Sequence, residues 1–420
     1  MSDRIFSAAQ LAALLRAIEA RGFSVIGPTM RDDAVTYGPI TSVDDLPRGR
    51  GDDQAPGHYR STMRDDALYF GFAAPVQSAK PVFFPADELL WRSRMGPGED
   101  GQPFPVIEPA DDPSVRRAPL ALFGIRSCDL AAIGQHDRIL TERLASDVHY
   151  AARRRDTLVV AVTCSHPSGT CFCASVGTGP APTEGYDLAL TEVLGQESAE
   201  ESGEESGEES GEESAEESAQ ESGEALGERG HRFVAKVGTD LGAELLDEIG
   251  AVAASPSDTS AADLVRDRAV AAMGRSLETE DLVGLLYGAA ESKVWDDVAS
   301  RCLACSNCTL VCPTCFCSTV TDVSDLTGEH AERHRVWASC FTQDYSYIHG
   351  GSVRTSTKSR YRQWLTHKLA AWQTQFGTLG CVGCGRCITW CPAGIDLTEE
   401  VAALRAGDAI SPHPTTEVRS

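Results

Sequence analysis

Cysteines carry most of the chemistry that this sequence could perform. The chain of 420 residues has 15 of them, an odd number. Its N-terminus lacks a basic region that leads into an apolar run, so we predict no signal peptide and expect a cytoplasmic location. In a reducing compartment, thiolates held by metal account for this cysteine content better than a disulfide framework does.

Two copies of the pattern C-x2-C-x2-C-x3-C-P stand in the last third of the chain. Three thiolates at this spacing lie on a tight loop around three corners of a cubane, whereas the fourth, before a proline, faces away and ligates the partner cluster. Zinc sites use two pairs of ligands rather than doubled triplets. We therefore predict two 4Fe-4S clusters, one on Cys302, Cys305, Cys308 and Cys391, and the other on Cys381, Cys384, Cys387 and Cys312.

Four further cysteines lie in the N-terminal half, namely Cys128, Cys164, Cys171 and Cys173. Cys128 and Cys164 each close a predicted strand, and Asp129 is expected to cap the following helix. The four thiols could hold a third 4Fe-4S cluster. Buried free thiols, or a zinc site that includes His166, are the alternatives left open by spacing alone.

The remaining cysteines are Cys315, Cys317 and Cys340. Three thiolates make an incomplete set without an outside ligand, such as a histidine or a cysteine of another group. Packing beside the metal and a further cluster both stay open.

A basic stretch follows with Arg354, Lys358, Arg360, Arg362 and Lys368. It is either a solvated helix face or a set of cations that offsets cluster charge or docks an acidic partner.

The elements around these cysteines change character along the chain. Apolar runs predict strands at Phe23–Ile26, Ala67–Phe70, Pro119–Ile125 and Leu158–Thr163. From Ser260 onwards helical spacing dominates, with helices expected at Ala262–Met273, Glu278–Val298 and Tyr361–Phe376. The predicted fold is a mixed α/β N-terminal domain followed by an all-helical two-cluster ferredoxin domain.

Composition sets the domain boundaries. We predict a first part of the α/β domain at 1–193, its remainder with a helical connection at 231–290, the ferredoxin domain at 291–400 and a tail at 401–420. A Glu/Ser/Gly repeat at 194–230 is expected to be a disordered insertion, because it has too little apolar surface to offset its ordering entropy.

Charge argues against a nucleic-acid partner. The net charge is −25, and Glu197–Glu228 holds 14 of the 62 acidic residues; the 37 basic residues against the other 48 leave −11 elsewhere. An acidic body does not favour phosphate binding. The sequence also lacks an apolar run of about 18 residues, so we expect no membrane insertion.

Several motifs together resemble the iron–sulfur β subunit of cytoplasmic NAD(P)-linked NiFe hydrogenases, the sulfhydrogenases, and the related iron–sulfur electron-transfer subunit of anaerobic sulfite reductases. They are Lys80-Pro-Val-Phe-Phe-Pro-Ala-Asp-Glu-Leu-Leu-Trp91, Gly124-Ile-Arg-Ser-Cys-Asp-Leu130, Tyr150-Ala-Ala-Arg-Arg154, Cys171-Phe-Cys-Ala-Ser-Val-Gly-Thr-Gly-Pro180, Cys312-Pro-Thr-Cys-Phe-Cys317 and Gln375-Phe-Gly-Thr-Leu-Gly-Cys-Val-Gly-Cys-Gly-Arg-Cys387.

This resemblance implies a subunit that relays electrons between a flavin subunit using NAD(P)H and the subunits with the catalytic metal. It also favours the third cluster on the four N-terminal cysteines. The alternative function is the same relay in anaerobic sulfite reduction. No Ser-His-Asp set, nickel-ligand pattern or sirohaem-binding pattern is evident, so we expect no catalytic residues in this chain.

Overall fold

The computed structural model describes residues 3–98, 102–109, 119–142, 145–195 and 230–407. Most of the predicted acidic insertion, residues 196–229, lies outside the described residues. So do residues 408–420 of the predicted tail. Within the described ranges the chain is a mixture of helices and sheets.

Sixteen strands lie in the described ranges, and four of them (β12, β15, β16 and β1) have only two to four residues. They are β1 Arg4–Ser7, β2 Ser24–Arg31, β3 Ala34–Pro39, β4 Arg50–Ala55, β5 His58–Met63, β6 Asp87–Pro97, β7 Pro103–Pro109, β8 Leu120–Arg126, β9 Leu158–Val162, β10 Leu188–Val193, β11 Arg232–Val237, β12 Val252–Ala253, β13 Ser318–Ser324, β14 His330–Trp337, β15 Tyr347–Ile348 and β16 Gly351–Ser352.

The described α-helices range from one turn to four. They are α1 Ala8–Ala20, α2 Lys80–Phe83, α3 Ser127–Leu140, α4 Val148–Arg154, α5 Asp240–Glu248, α6 Pro256–Ala271, α7 Leu282–Gly288, α8 Val294–Arg301, α9 Asn307–Leu310, α10 Thr357–Thr366, α11 Trp372–Phe376, α12 Arg386–Thr389 and α13 Leu397–Ala406. A π-helical turn at His367–Ala371 joins α10 to α11. No helix in the described ranges has both the length and the apolar character needed to cross a bilayer.

An eight-stranded sheet organises the N-terminal part, in the order β12-β1-β11-β10-β9-β8-β2-β3. Strands β10, β9, β8 and β2 are parallel neighbours, and the outer strands pair antiparallel. The central strands β8 and β9 are almost entirely apolar and buried, as expected for parallel strands covered on both faces.

Alternate residues of the central strands face two different cores. Phe123 and Val160 pack in one core, with the apolar side of α1 and Leu245 of α5. Their neighbours Leu122 and Val159 pack in the other, with residues of α3 and α4. This period of two is the geometry of a strand between two layers of helices. The carboxyl ends of β8 and β9 lead directly into the segments that carry Cys128 and Cys164.

The region predicted to be an all-helical ferredoxin domain also contains strands, which corrects the prediction. A hairpin of β13 and β14 lies between the two cysteine motifs, and β14 pairs with β6 in a four-stranded sheet ordered β13-β14-β6-β7. Four of the seven residues of β13 are β-branched, and a turn at Gly328 follows, a composition that favours a strand and a hairpin. Its pairing with β6 joins the C-terminal part of the chain to the N-terminal part.

Two local predictions also need correction. The strand expected at Ala67–Phe70 is a buried loop, because the N–H groups of Tyr69 and Phe70 donate to the Glu192 carboxylate at 2.7 and 2.9 Å instead of to a strand. The helix expected at Glu278–Val298 is divided into α7 and α8. Between them, the Ala289 carbonyl accepts a 2.7 Å hydrogen bond from the Trp295 indole.

The other two helix predictions hold. The helix expected at Ala262–Met273 overlaps α6, which begins earlier, at Pro256, and ends at Ala271. Tyr361–Phe376 is one continuous helical stretch through the π turn.

The core of the eight-stranded sheet predicts that two phenylalanine-to-alanine substitutions change the free energy of unfolding by very different amounts. Phe123→Ala removes a side chain that is completely buried between strand and helix, whereas Phe104 is 63% exposed on β7. We expect Phe123→Ala to lower the free energy of unfolding by about 3–5 kcal/mol. The matched Phe104→Ala variant should change it by less than about 0.5 kcal/mol. Denaturant unfolding followed by circular dichroism measures both, and equal effects would contradict this description of the core.

Candidate iron–sulfur sites

The two cysteine loops have the same local conformation. Ala304 and Ser306 adopt positive φ angles of 50° and 71°, and the equivalent Gly383 and Gly385 adopt 61° and 74°. Two left-handed residues between cysteines turn the chain sharply, so the thiols of one loop can face a common centre.

Glycine is required in the second loop for a further reason. A Cβ on Gly383 would lie 2.6 Å from the backbone of Cys173, and one on Gly385 would lie 2.5 Å from Thr170. The loop therefore packs directly on the segment that carries Cys171 and Cys173. This contact places the N-terminal cysteines beside the second C-terminal motif.

Each loop continues into a single helical turn, α9 or α12, and the two turns contact each other. Asn307 at the start of α9 donates a 3.1 Å hydrogen bond to the carbonyl of Trp390, next to Cys391. The end of the second motif is thereby held against the beginning of the first.

The structure brings the first predicted set of thiols around one cavity, which we call site 1. This cavity is lined by cysteines and by the rings of Phe341, Tyr361 and Trp364. The cysteines are Cys302, Cys305, Cys308, Cys387 and Cys391. Four of these five form the predicted set, and the aromatic wall would exclude water from a bound cluster.

The second predicted set, site 2, consists of Cys381, Cys384, Cys387 and Cys312. Cys312 and the first two are buried. All four lie close enough to influence one another: Cys381, Cys384 and Cys312 contribute to the raised pKa of Cys387, for which burial is the main cause. The trailing cysteine of each motif thus lies with the triplet of the other motif.

Backbone amides point at the sulfurs of both sites. The N–H groups of Ala304 and Gly383 donate to Cys302 and Cys381 at 3.4 and 3.5 Å. The trailing cysteines receive similar bonds, from Thr314 to Cys312 at 3.4 Å and from Ile395 to Cys391 at 3.3 Å. Hydrogen bonds to ligand sulfur stabilise negative charge there and tune the potential of an iron–sulfur centre.

Burial makes most of these thiols reluctant to ionise alone. It raises the pKa of Cys384 to about 11 and that of Cys381 to about 12. Thiolates in such surroundings need positive charge, which iron would supply on binding. The donor set and its surroundings therefore fit a cluster.

Lys368 lies in the middle of this negative region. It is buried in the π turn, and its Nζ lies 3.0 Å from the sulfur of Cys312 and 3.2 Å from the carbonyl of Gly380. A hydrogen bond with Cys315, together with the Lys368 ammonium, holds the pKa of Cys312 well below the usual thiol range despite burial. Of the site 2 sulfurs, Cys312 is therefore the one poised as a thiolate.

The basic stretch predicted from the sequence separates into two groups. Lys358 forms an exposed ion pair with Asp296 at 2.9 Å, as expected for a solvated helix face. Arg360 and Lys368 are buried instead. Burial raises the pKa of Cys302, and the nearby Arg360 guanidinium offsets part of that rise.

The four N-terminal cysteines form a third group, site 3. Cys128 and Cys173 lie in one buried cluster with Cys384. Burial, followed by the neighbouring Cys171 and Cys164, raises the pKa of Cys173. Cys171 in turn approaches the carbonyl of Cys384 at 3.8 Å. The loop after β9 and the first turn of α3 thus bring these thiols beside site 2.

His166 is not placed as a ligand of this group. Its Nδ1 lies 2.9 Å from the Ser165 hydroxyl and its Nε2 lies 2.9 Å from the Arg64 guanidinium. Both ring nitrogens are therefore engaged, and burial beside Arg64 lowers the pKa of His166 to about 4. These contacts disfavour the zinc alternative.

Asp129 does not cap α3, which corrects a further prediction. The helix begins at Ser127, with Arg126 at the N-cap position. The Asp129 carboxylate instead accepts two hydrogen bonds from Arg386, at 2.6 and 2.8 Å, and one from the Tyr37 hydroxyl at 3.0 Å. Both members of the ion pair are buried.

Sequence reasoning missed this Asp129–Arg386 pair. It ties the second cysteine loop to the first turn of α3, between Cys384 and Cys128. A signal was present, because Arg386 stands inside a cysteine motif, where a charged residue must find a partner once the loop is buried. Nothing in the spacing identified which acid that partner would be.

Within the described part of the chain, no three His, Cys, Asp or Glu side chains are arranged to hold a single metal ion. A 4Fe-4S cubane is larger than an ion, so its cysteine ligands stand farther apart around it.

Comparison with known proteins identifies the type of domain and the family. Residues 301–395 match the family model of the 4Fe-4S dicluster domain. Over 287 residues the chain is 30% identical to the sulfhydrogenase 2 subunit beta of Pyrococcus furiosus, a match that covers 68% of this chain and 74% of that protein. No solved structure matches the chain.

The position of Lys368 predicts a shift in reduction potential. Reduction of a cluster bound at site 2 would add negative charge beside this ammonium, so Lys368→Met should favour the oxidised form and make the potential more negative. We expect tens of millivolts, where about 59 mV is a tenfold change in a one-electron equilibrium. EPR-monitored redox titration measures the change. Lys358→Met is the matched control, and an equal shift there, or none in Lys368→Met, would refute the assignment.

Proposed function

Because the chain belongs to the family of sulfhydrogenase beta subunits, we propose that it relays electrons inside a cytoplasmic NiFe hydrogenase. One neighbour would be a flavin subunit that uses NAD(P)H, and the other would be the subunits that carry the catalytic metal. The observation that supports this relay best is that the three cysteine sites are contiguous.

Contacts run from one site to the next. Site 3 adjoins site 2 where Cys171 approaches the Cys384 carbonyl and where Gly383 packs on Cys173. Site 2 adjoins site 1 through the contact between α9 and α12. A series of this kind suits conduction between two partners better than chemistry at a single centre.

Site 1 also approaches the surface. Cys305 is exposed, and the adjacent Leu303 is 69% exposed. An exposed ligand brings this end of the series within reach of another subunit. We therefore place one end of the relay at this loop.

The proposed cofactors are 4Fe-4S clusters at sites 1, 2 and 3, ligated by the twelve cysteines of those sites. When bound, each cluster supplies a one-electron redox centre. The chain's own residues do the rest: amides donate to the sulfurs, Lys368 and Arg386 offset negative charge, and the aromatic residues around site 1 keep water away.

Purification of the tagged chain from its source organism under anaerobic conditions tests the partners. We expect co-purifying flavin and nickel subunits, together with H2-dependent reduction of NAD(P). Sirohaem and sulfite consumption would instead assign the chain to a sulfite reductase. A chain that purifies with iron but with neither partner would refute the hydrogenase proposal.

In the same complex, Cys308→Ala should remove about four iron atoms, one cluster's worth, and lower H2-dependent NAD(P) reduction at least tenfold. The matched control is Ser306→Gly in the same loop, since the left-handed φ of Ser306 suits glycine. It should retain iron and activity. Full activity in Cys308→Ala would contradict the relay through site 1.

A further inference from the structure

Three thiols outside sites 1 to 3 line a cavity of their own. Cys315, Cys317 and Cys340 line one pocket, as the first predicted set of thiols does at site 1. The side chain of His367 contributes to the same wall. We propose that these three cysteines, with His367 as the fourth protein ligand, hold an additional 4Fe-4S cluster.

The base of the hairpin brings the three cysteines together. Cys315 and Cys317 precede β13, and Cys340 follows β14. The pairing of Ser318 with Trp337 closes the hairpin, and the Ala338 N–H donates to the Cys317 carbonyl at 2.9 Å. The thiols on the two sides of the hairpin therefore face one cavity. His367 on the same wall is the outside ligand that the three cysteines lack in the sequence.

The wall of this cavity resembles that of site 1. Trp364 lines both cavities, and here it is joined by Phe316, Trp372 and Tyr345. Thiols that serve only as core packing would fill space with their neighbours. These thiols instead line a pocket together with His367 and aromatic rings.

Two buried lysines supply positive charge next to this cavity. Lys80 is 4% exposed and Lys368 is 5% exposed. The Nζ of Lys80 donates to the carbonyls of Leu310 and Cys315, both at 3.3 Å, and lies 3.6 Å from the centre of the Trp337 ring.

The hydrogen-bond partners described for the two ammonium groups are carbonyls, a hydroxyl and the Cys312 sulfur, with no carboxylate among them. A buried cation needs a compensating anion. The sulfurs of site 2 supply negative charge beside Lys368. Burial lowers the pKa of Lys80, and three thiolates with a bound cluster beside Cys315 would supply the negative charge that keeps Lys80 protonated.

His367 completes the donor set. It lies in the π turn between α10 and α11, a distortion that is frequent at functional sites. Burial lowers its pKa, so it is neutral at physiological pH and its nitrogen can bind metal. Because no three such groups in the described ranges suit a single ion, the proposal is for a cluster and not for zinc.

The test is the iron content of the full-length chain, reconstituted anaerobically with 57Fe. Cys317→Ala/Cys340→Ala should lose about four iron atoms relative to the unsubstituted chain, with the Mössbauer and EPR signals of the other clusters retained. The matched control is Gln363→Ala, which alters the wall of the same cavity without removing a donor. Equal iron in the double variant and the control would overturn the proposal.

A second measurement decides the outcome if the double variant loses all its iron or fails to fold. In the unsubstituted chain labelled with 15N-histidine, one reduced cluster should show nitrogen hyperfine coupling that His367→Ala abolishes. Absence of that coupling would then overturn the site. Neither result bears on whether the chain relays electrons in a hydrogenase, because sites 1 to 3 are read separately.

Discussion

In the predicted ligand sets, neither cysteine loop completes its four thiols unless the other loop is folded against it. Each loop would supply three sulfurs, and the fourth would come from the end of the opposite motif. The packing of α9 on α12 and the hydrogen bond from Asn307 to Trp390 hold this exchange in place. Because 68 residues separate Cys312 from Cys381, the helices and the hairpin between them must bring the second motif back against the first.

Charge is the second constraint, and it follows from the first. Thiols gathered in a dry interior resist ionisation, so each site is surrounded by groups that favour negative sulfur. Amide N–H groups perform this role at both loops. Lys368 and the Arg386 guanidinium add full positive charges beside site 2. Asp129 fixes the direction of Arg386 and so links this electrostatic arrangement to the α/β layer.

The sequence predicts the chemistry of the sites better than their surroundings. The two motifs repeat a short spacing whose geometry is local, so the cysteine sets could be proposed without a fold. The all-helical prediction failed at the hairpin, because β13 and β14 are stabilised by pairing with the distant strand β6. The strand expected at Ala67–Phe70 failed for a similar reason, since the buried carboxylate of Glu192 replaces a neighbouring strand. Contacts between segments that are far apart in the chain leave no periodic pattern in the sequence.

The central claim is the exchange of the fourth cysteine between the two loops. It is tested most directly by EPR and Mössbauer spectra of four single variants, Cys302→Ser, Cys391→Ser, Cys381→Ser and Cys312→Ser, in the anaerobically reconstituted chain. Exchange predicts that Cys391→Ser perturbs the same cluster as Cys302→Ser, and that Cys312→Ser perturbs the same cluster as Cys381→Ser. If Cys391→Ser instead matches Cys381→Ser, each loop closes its own cluster and the exchange is contradicted.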